Sequence, residues 1–261
     1  ERETRMSTNE KTPGRFVWRE LMTSDVEAAK GFYGELLGWS FQSMDMGPGG
    51  TYWLISVGGA QRGGLMKLPA NVPAPPHWMS YVSVADVDAT VARAKAAGGQ
   101  APMGSMKMDG VGTMAVIMDA QGAATMAFCG VDPDPVPERP KPGEFCWESL
   151  STSDLEAAKR FYTEVYGWKA SSFGGMTTFG VAEGMEGQVA DAQSPPPGAP
   201  SFWNTHVVVE DLAKSVARVE KLGGKVLMAD IDVPGIGHIG MVQDPQGAVL
   251  ALFQPNPDMG A

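Results

Sequence analysis

The stretch FVWRELMTSDVEAAKGFYGELLGW at Phe16–Trp39 returns as FCWESLSTSDLEAAKRFYTEVYGW at Phe145–Trp168. The two copies align without a gap and share 15 of their 24 residues. Later matches follow in the same order in both halves: residues 84–100 with 209–225, and DAQGA at 119–123 with DPQGA at 244–248. The second half of the chain is therefore a copy of the first, and this internal repeat decides the fold.

Length and composition agree with two repeated domains. The chain has 261 residues, 43% of them hydrophobic, which is enough for two domains of about 130 residues with a core each. We predict a disordered tail at 1–11, domains at 12–130 and 144–257, and a linker at 131–143. The linker sequence VDPDPVPERPKPG is rich in proline and charge, as is typical of a crossing between domains.

Charge and hydropathy exclude several classes of partner. Thirty acidic and twenty basic side chains give a net charge of -10, and no basic cluster is present, so we expect no nucleic acid partner. Apolar runs such as 248–253 are too short to span a membrane, and the N-terminus has no signal pattern, so we predict a cytoplasmic protein without membrane contact. Cys129 and Cys146 are predicted to be free thiols. The predicted oligomeric state is a monomer or a homodimer.

Each half contains a fainter duplication in which a strand pattern leads into an aspartate and then a helix pattern. The aspartates are Asp25, Asp86, Asp154 and Asp211, and their position predicts helix N-caps. Short runs bounded by glycine turns follow each helix and read as strands. The sequence predicts an α+β fold built from four βαβββ modules.

These motifs resemble the vicinal oxygen chelate superfamily of glyoxalases, extradiol dioxygenases and bleomycin-resistance proteins. The resemblance covers residues 14–255 and is greatest for tandem two-domain glyoxalase-like proteins. It implies that paired βαβββ modules curl into a cup that holds a small ligand, often with a divalent metal.

The resemblance also implies where metal ligands would stand. Seven residues before the four capping aspartates are Trp18, Met79, Trp147 and Asn204, and the last strands of the modules offer Gly64, Met126, Gln188 and Ala251. None of these is His, Asp or Glu, so we predict no metal and no other cofactor. The thioethers of Met79 and Met126 suit only a soft ion such as Cu(I), and filling of gaps in the core is the favoured role.

Strand alternation selects four more residues for the cup. Positions five before each capping aspartate share a face with those seven before it, and they are Glu20, Tyr81, Ser149 and His206. Glu20 and His206 are candidate catalytic residues, which would form an acid–base pair if the first and fourth modules share a cup. If modules adjacent in sequence share it, the pair does not form. A rim carboxylate and a core histidine are the structural alternatives.

The remaining candidates describe a ligand-binding wall of Trp18, Met79, Tyr81, Met126, Trp147, Ser149 and Asn204. Aromatic and thioether groups with a few polar ones suit a flat, partly apolar molecule. The favoured function is metal-independent binding of a small aromatic or natural-product-like molecule. A glyoxalase-like lyase or isomerase, a cofactor-free catalyst using Glu20 and His206, and a purely structural role are the alternatives.

Overall fold

The structure is a computed structural model that describes residues 11–70, 72, 74–135, 138–173, 176–182, 185–195 and 200–257. Residues 1–10 of the predicted tail therefore lie outside the described residues. None of the helices in the described part of the chain is both long enough and apolar enough to cross a lipid bilayer.

Within the described residues, each repeat contributes eight strands and two helices. The first repeat comprises β1 Phe16–Thr23, α1 Val26–Leu37, β2 Ser40–Asp45, β3 Thr51–Val57, β4 Ala60–Lys67, β5 His77–Ser83, α2 Val87–Ala96, β6 Met106–Met108, β7 Gly112–Met118 and β8 Ala124–Gly130. The second comprises β9 Phe145–Ser151, α3 Leu155–Tyr166, β10 Lys169–Phe173, β11 Met176–Ala182, β12 Met185–Gln193, β13 Phe202–Val208, α4 Leu212–Val219, β14 Lys225–Val233, β15 Gly237–Gln243 and β16 Val249–Pro255. The prediction of four βαβββ modules is confirmed.

The four aspartates cap the four helices as predicted. Each carboxylate accepts a backbone N–H three residues further along, as when Asp25 accepts from Ala28 at 3.1 Å and Asp154 from Ala157 at 2.9 Å. Helix α1 ends at Gly38, whose φ of 72° is left-handed and therefore favours glycine. The shared TSD and LGW/YGW motifs thus set the ends of α1 and α3.

Two eight-stranded sheets contain the strands. Their orders are β2-β3-β4-β1-β5-β8-β7-β6 and β10-β11-β12-β9-β13-β16-β15-β14. Parallel pairs at the centre place Glu20 opposite Gly64, Tyr81 opposite Met126 and His206 opposite Ala251. Modules that are adjacent in sequence therefore share a sheet.

The chain packs into two compact units, and each unit contains segments of both sequence repeats. The first unit comprises residues up to 17, 80–138 and 150–203, and the second comprises 18–79, 139–149 and 204–261. The core of the first unit includes Val82, Phe161 and Trp168, which α3 and its neighbouring strands bury. The predicted domain boundaries stay a prediction.

The core of the second unit joins α1 and α4 to the strands beneath them. It includes Leu21, Phe32, Val207 and Leu212, and burial of such side chains stabilises the fold by about 1.5–3 kcal/mol each. Cys129 and Cys146 are free thiols, as predicted. Burial raises the pKa of Cys146, so its thiol stays protonated.

Each unit also buries the same hydrogen-bonded relay. In the second unit, Trp78 Nε1 donates to Tyr33 Oη at 3.1 Å, and Tyr33 Oη donates to Asp244 Oδ2 at 3.0 Å. In the first unit, Trp203, Tyr162 and Asp119 form the equivalent relay at 2.8 and 3.0 Å. Burial and the neighbouring aspartate raise the pKa of each tyrosine, which keeps its hydroxyl a donor. The repeated FY and DxQGA motifs therefore serve the core.

Candidate functional site

The predicted site residues lie on the strand faces that point away from the helices. Leu21 and Val207 belong to the core of the second unit, whereas their neighbours Glu20 and His206 do not. In the first unit, Val82 and Ala127 belong to the core while Tyr81 and Met126 do not. The predicted positions therefore share the face opposite the core, and their role as a site stays a prediction.

Most of these side chains are nevertheless buried. The buried ones are Glu20, Met79, Tyr81, Met126, Ser149, Asn204 and His206, and the half-buried ones are Trp18 and Trp147. Tyr81 and Met126 belong to the first unit, and the other seven belong to the second. The face opposite the helices is thus shielded from water and carries polar groups that need partners.

A third Trp–Tyr–acid relay explains how Glu20 is accommodated. Trp18 Nε1 donates to Tyr52 Oη at 2.9 Å, and Tyr52 donates to the carboxylate of Glu20, which is 5% exposed. Burial, and then the charge of Glu20, raise the pKa of Tyr52 far above its usual value, so the hydroxyl stays protonated. The structure thus brings together two predicted residues, Trp18 and Glu20, through a third that the sequence analysis missed.

Gly64 makes room for this relay. A Cβ built on Gly64 would collide with the hydroxyl oxygen of Tyr52. Tyr52 lies on β3 opposite Met66, and it reaches diagonally over Gly64 towards Glu20, the parallel partner of that glycine. A glycine inside a strand often marks such a close approach. The pair Gly63-Gly64 was therefore the signal by which Tyr52 could have been found.

The residues at the implied ligand positions do not fit a divalent metal. In the first repeat they are Trp18, Met79 and Met126, together with Gly64, whose side-chain space the neutral Tyr52 hydroxyl fills. Across the residues that the structure describes, no group of three or more His, Cys, Asp or Glu side chains could hold an ion. The side chain of Gln188 lies outside the described residues. Zinc, manganese and iron require imidazole nitrogen, thiolate sulfur or carboxylate oxygen donors, and these positions in the first repeat offer only thioether sulfur.

The second repeat carries a different polar pair on β13. Asn204 and His206 share a strand face and are 5% and 4% exposed. The side-chain oxygen of Asn204 accepts no hydrogen bond from any described residue. Burial alone lowers the pKa of His206 to about 4, so the imidazole is neutral at physiological pH.

The acid–base pair of Glu20 and His206 stays a prediction. Strand β1 belongs to one sheet and β13 to the other, although both residues belong to the second compact unit. The carboxylate of Glu20 is engaged by Tyr52, and desolvation is the cause of the pKa shift of His206. The two residues therefore enter the functional argument separately.

The two repeats share a tryptophan, Trp18 and Trp147, and differ at the other three equivalent strand positions. Trp18 and Glu20 become Trp147 and Ser149, while Met79 and Tyr81 become Asn204 and His206. In the first unit, the ring of Tyr81 packs edge-on against Phe128 at 5.7 Å. The first repeat therefore presents two aromatic rings and one carboxylate, and the second presents one aromatic ring, an amide and an imidazole.

Sequence reasoning also missed a partly buried ion pair on the core side of the strands that carry the site. Arg19 Nε donates to Glu148 Oε1 at 2.8 Å, and Thr205 Oγ1 donates to Glu148 Oε2 at 3.0 Å. Glu148 is fully buried. The signal was available, because Arg19 and Glu148 occupy equivalent places in the two repeats with opposite charge.

Comparisons with known proteins agree with this architecture. A family model described as the Glyoxalase/Bleomycin resistance protein/Dioxygenase superfamily matches residues 147–252, and a bleomycin resistance protein-like N-terminal model matches residues 15–52. A Mycobacterium bovis protein named "Putative glyoxylase CFP32" is 31% identical over 249 residues, which cover 92% of this chain and 94% of that protein. The anthracycline biosynthesis protein DnrV of Streptomyces peucetius is 31% identical over 137 residues, which cover 46% of this chain and 50% of that protein.

Solved structures share the fold at low identity. The Mn(II)-bound glyoxalase from Novosphingobium aromaticivorans superposes with a TM-score of 0.63 at 15% identity, over 94% of this chain and 83% of that one. The 2,3-dioxygenase LapB from Pseudomonas sp. KL28 superposes with a TM-score of 0.61 at 13% identity, over 95% and 96%. At such identity the likeness concerns the fold alone.

Proposed function

The chain belongs to the glyoxalase/bleomycin resistance protein/dioxygenase superfamily, and from that premise we propose that it binds a small aromatic or natural-product-like molecule without a metal. The observation that carries this proposal is the Tyr52 hydroxyl over Gly64. A neutral hydrogen-bonding group fills the space where the family resemblance implies a ligand to a metal. In this proposal the polar groups of the ligand bind to protein side chains and not to a metal ion.

The chemistry of the shielded face supports an organic ligand. Trp18 and Tyr52 are half-buried and offer ring surface, which suits a flat apolar molecule. Glu20 supplies a fixed polar group of the kind that orients a ligand in an apolar site. The name of one relative, an anthracycline biosynthesis protein, supports a natural product as that ligand.

The test measures binding of 1-naphthol, a flat probe, by calorimetry to protein dialysed against EDTA. We expect the affinity to be unchanged after Mn²⁺ or Zn²⁺ is restored, and elemental analysis to find far less than one metal ion per chain after dialysis. Binding that appears only with the restored metal would overturn metal independence.

A matched pair of tryptophan variants tests where the probe lies. Trp18→Ala removes a ring from the shielded face and is expected to weaken binding about tenfold. Trp53→Ala is the control, because Trp53 packs against the core on the helix side of β3, where Lys30 Nζ lies 3.5 Å from its ring centroid. Equal affinities for the two variants would place the ligand elsewhere.

A further inference from the structure

Asn204 has a buried side-chain oxygen with no hydrogen-bond donor. The residue is 5% exposed, and among the described residues nothing donates to its Oδ1. A buried acceptor without a partner lowers stability, commonly enough to shift a folding equilibrium about tenfold. A polar group kept in this condition needs a reason other than the packing of the strand.

The first repeat shows that packing does not require the asparagine. Met79 holds the position equivalent to Asn204, and Met79 is buried without any hydrogen-bonding demand. The neighbouring strand positions keep their roles in both repeats, since Trp78 and Trp203 each donate to a core tyrosine. The amide therefore changes the chemistry of one face and leaves the core unchanged.

His206 completes the polar pair on this face. It lies two residues beyond Asn204 on β13 and pairs with Ala251 of β16, so a small residue flanks the imidazole. A neutral imidazole has one N–H donor and one acceptor nitrogen. Asn204 therefore offers a free acceptor, and His206, two residues further along the same face of the strand, offers a group that can donate.

We infer that Asn204 and His206 recognise an uncharged hydroxyl group on the aromatic ligand. The hydroxyl hydrogen is donated to Oδ1 of Asn204, and the hydroxyl oxygen accepts from the imidazole N–H. A carboxylate ligand would face the same unpartnered acceptor without a hydrogen to give, and an ammonium group would be costly to strip of water in this buried place. This inference rests on the proposed function and names its ligand class, a neutral hydroxyaromatic compound.

The experiment compares three probes that differ in one group: 1-naphthol, 1-methoxynaphthalene and 1-naphthoate. Calorimetric titration of wild-type protein is expected to show that 1-naphthol binds about tenfold or more tightly than the other two. Equal binding of 1-naphthol and its methyl ether would overturn the inference and leave the proposed function standing. Failure of all three probes to bind at millimolar concentration would overturn the proposed function itself.

Asn204→Met, which copies Met79, separates recognition from a structural role. We expect the preference for 1-naphthol over its ether to fall to about one, while the melting temperature without ligand stays equal or rises. Gln246→Met is the matched control, since Gln246 Oε1 is another buried amide oxygen without a described donor and lies in the turn after Asp244. The control should keep the preference.

A structural role for Asn204 predicts the opposite pattern. The melting temperature of Asn204→Met would then fall while the preference for 1-naphthol persists, and that result would overturn the inference. Should the methionine variant fail to fold, Asn204→Leu, which is close to asparagine in shape, provides the same comparison.

Discussion

At the scale of single residues, burial decides the protonation of the site. Glu20 is held by the Tyr52 hydroxyl, whereas His206 is held neutral by desolvation alone. The sequence singled out both positions by strand alternation, but it could not show which of them had a partner, because Tyr52 lies 32 positions from Glu20 along the chain.

His206 predicts a loss of stability in mild acid. Its pKa is about 4 in the folded protein against 6.5 for an ordinary histidine, so the unfolded chain takes up the proton first. The contribution is complete above pH 6.5 and decreases as the pH falls towards 4, by about 3 kcal/mol in total. Urea unfolding of wild type and His206→Gln between pH 7 and 4 measures it as the difference between the two proteins.

Two other buried groups, Asp119 and Asp244, also make the stability depend on pH. Burial raises the pKa of both, so their contribution runs in the opposite sense and is lost as the pH rises. Both proteins retain these groups, and their effects cancel in the comparison. Parallel stability curves for wild type and His206→Gln would contradict the buried neutral histidine.

At the scale of elements, the relays fix the helices to the strands. Tyr33 on α1 links Trp78 on β5 to Asp244, and Tyr162 on α3 links Trp203 on β13 to Asp119. Each relay satisfies buried groups that would otherwise lower stability. Tyrosine is therefore required where phenylalanine would fill the same space.

Tyr33→Phe is expected to reduce the free energy of unfolding by about 1–3 kcal/mol, because it leaves the Trp78 N–H without its partner and takes a donor from Asp244. Tyr162→Phe should have a similar effect on Trp203 and Asp119. The control is Phe41→Leu, which changes an apolar side chain at the edge of the core. Phe32→Tyr is unsuitable as a control, because it adds a hydroxyl beside Tyr33 on the same helix. Denaturant unfolding that shows no loss for either tyrosine variant would contradict the relays.

The sequence predicted these elements well and their contacts poorly. The caps at Asp25 and Asp154, the glycine end of α1 and the alternation at Glu20 all follow from local chemistry, which a repeated sequence displays twice. The Tyr52 partner and the Arg19–Glu148 pair depend on strand register and on the meeting of two repeats. Contacts of that kind join distant positions, and no local pattern specifies them.

At the scale of the whole molecule, the repeats meet through residues at equivalent positions. Arg19 of β1 and Glu148 of β9 form a 2.8 Å ion pair within the second unit, with Phe145 5.8 Å from the guanidinium carbon. An exact duplication would bring two arginines or two glutamates to the same place. Divergence to opposite charges therefore lets one chain join its two halves without repulsion.

Single substitutions of this pair should cost far more than the double one. Arg19→Met removes the cation that lies 2.8 Å from the fully buried carboxylate of Glu148, and Glu148→Met removes that carboxylate from the partly buried guanidinium; each is expected to lower the free energy of unfolding by about 3–5 kcal/mol. The double variant replaces both charges by apolar groups, so most of that loss should be regained. Urea unfolding of the four proteins in a double-mutant cycle measures the coupling. Additive losses would show that the two charges stabilise the chain independently, and the opposite charges at Arg19 and Glu148 would then have no part in joining the repeats.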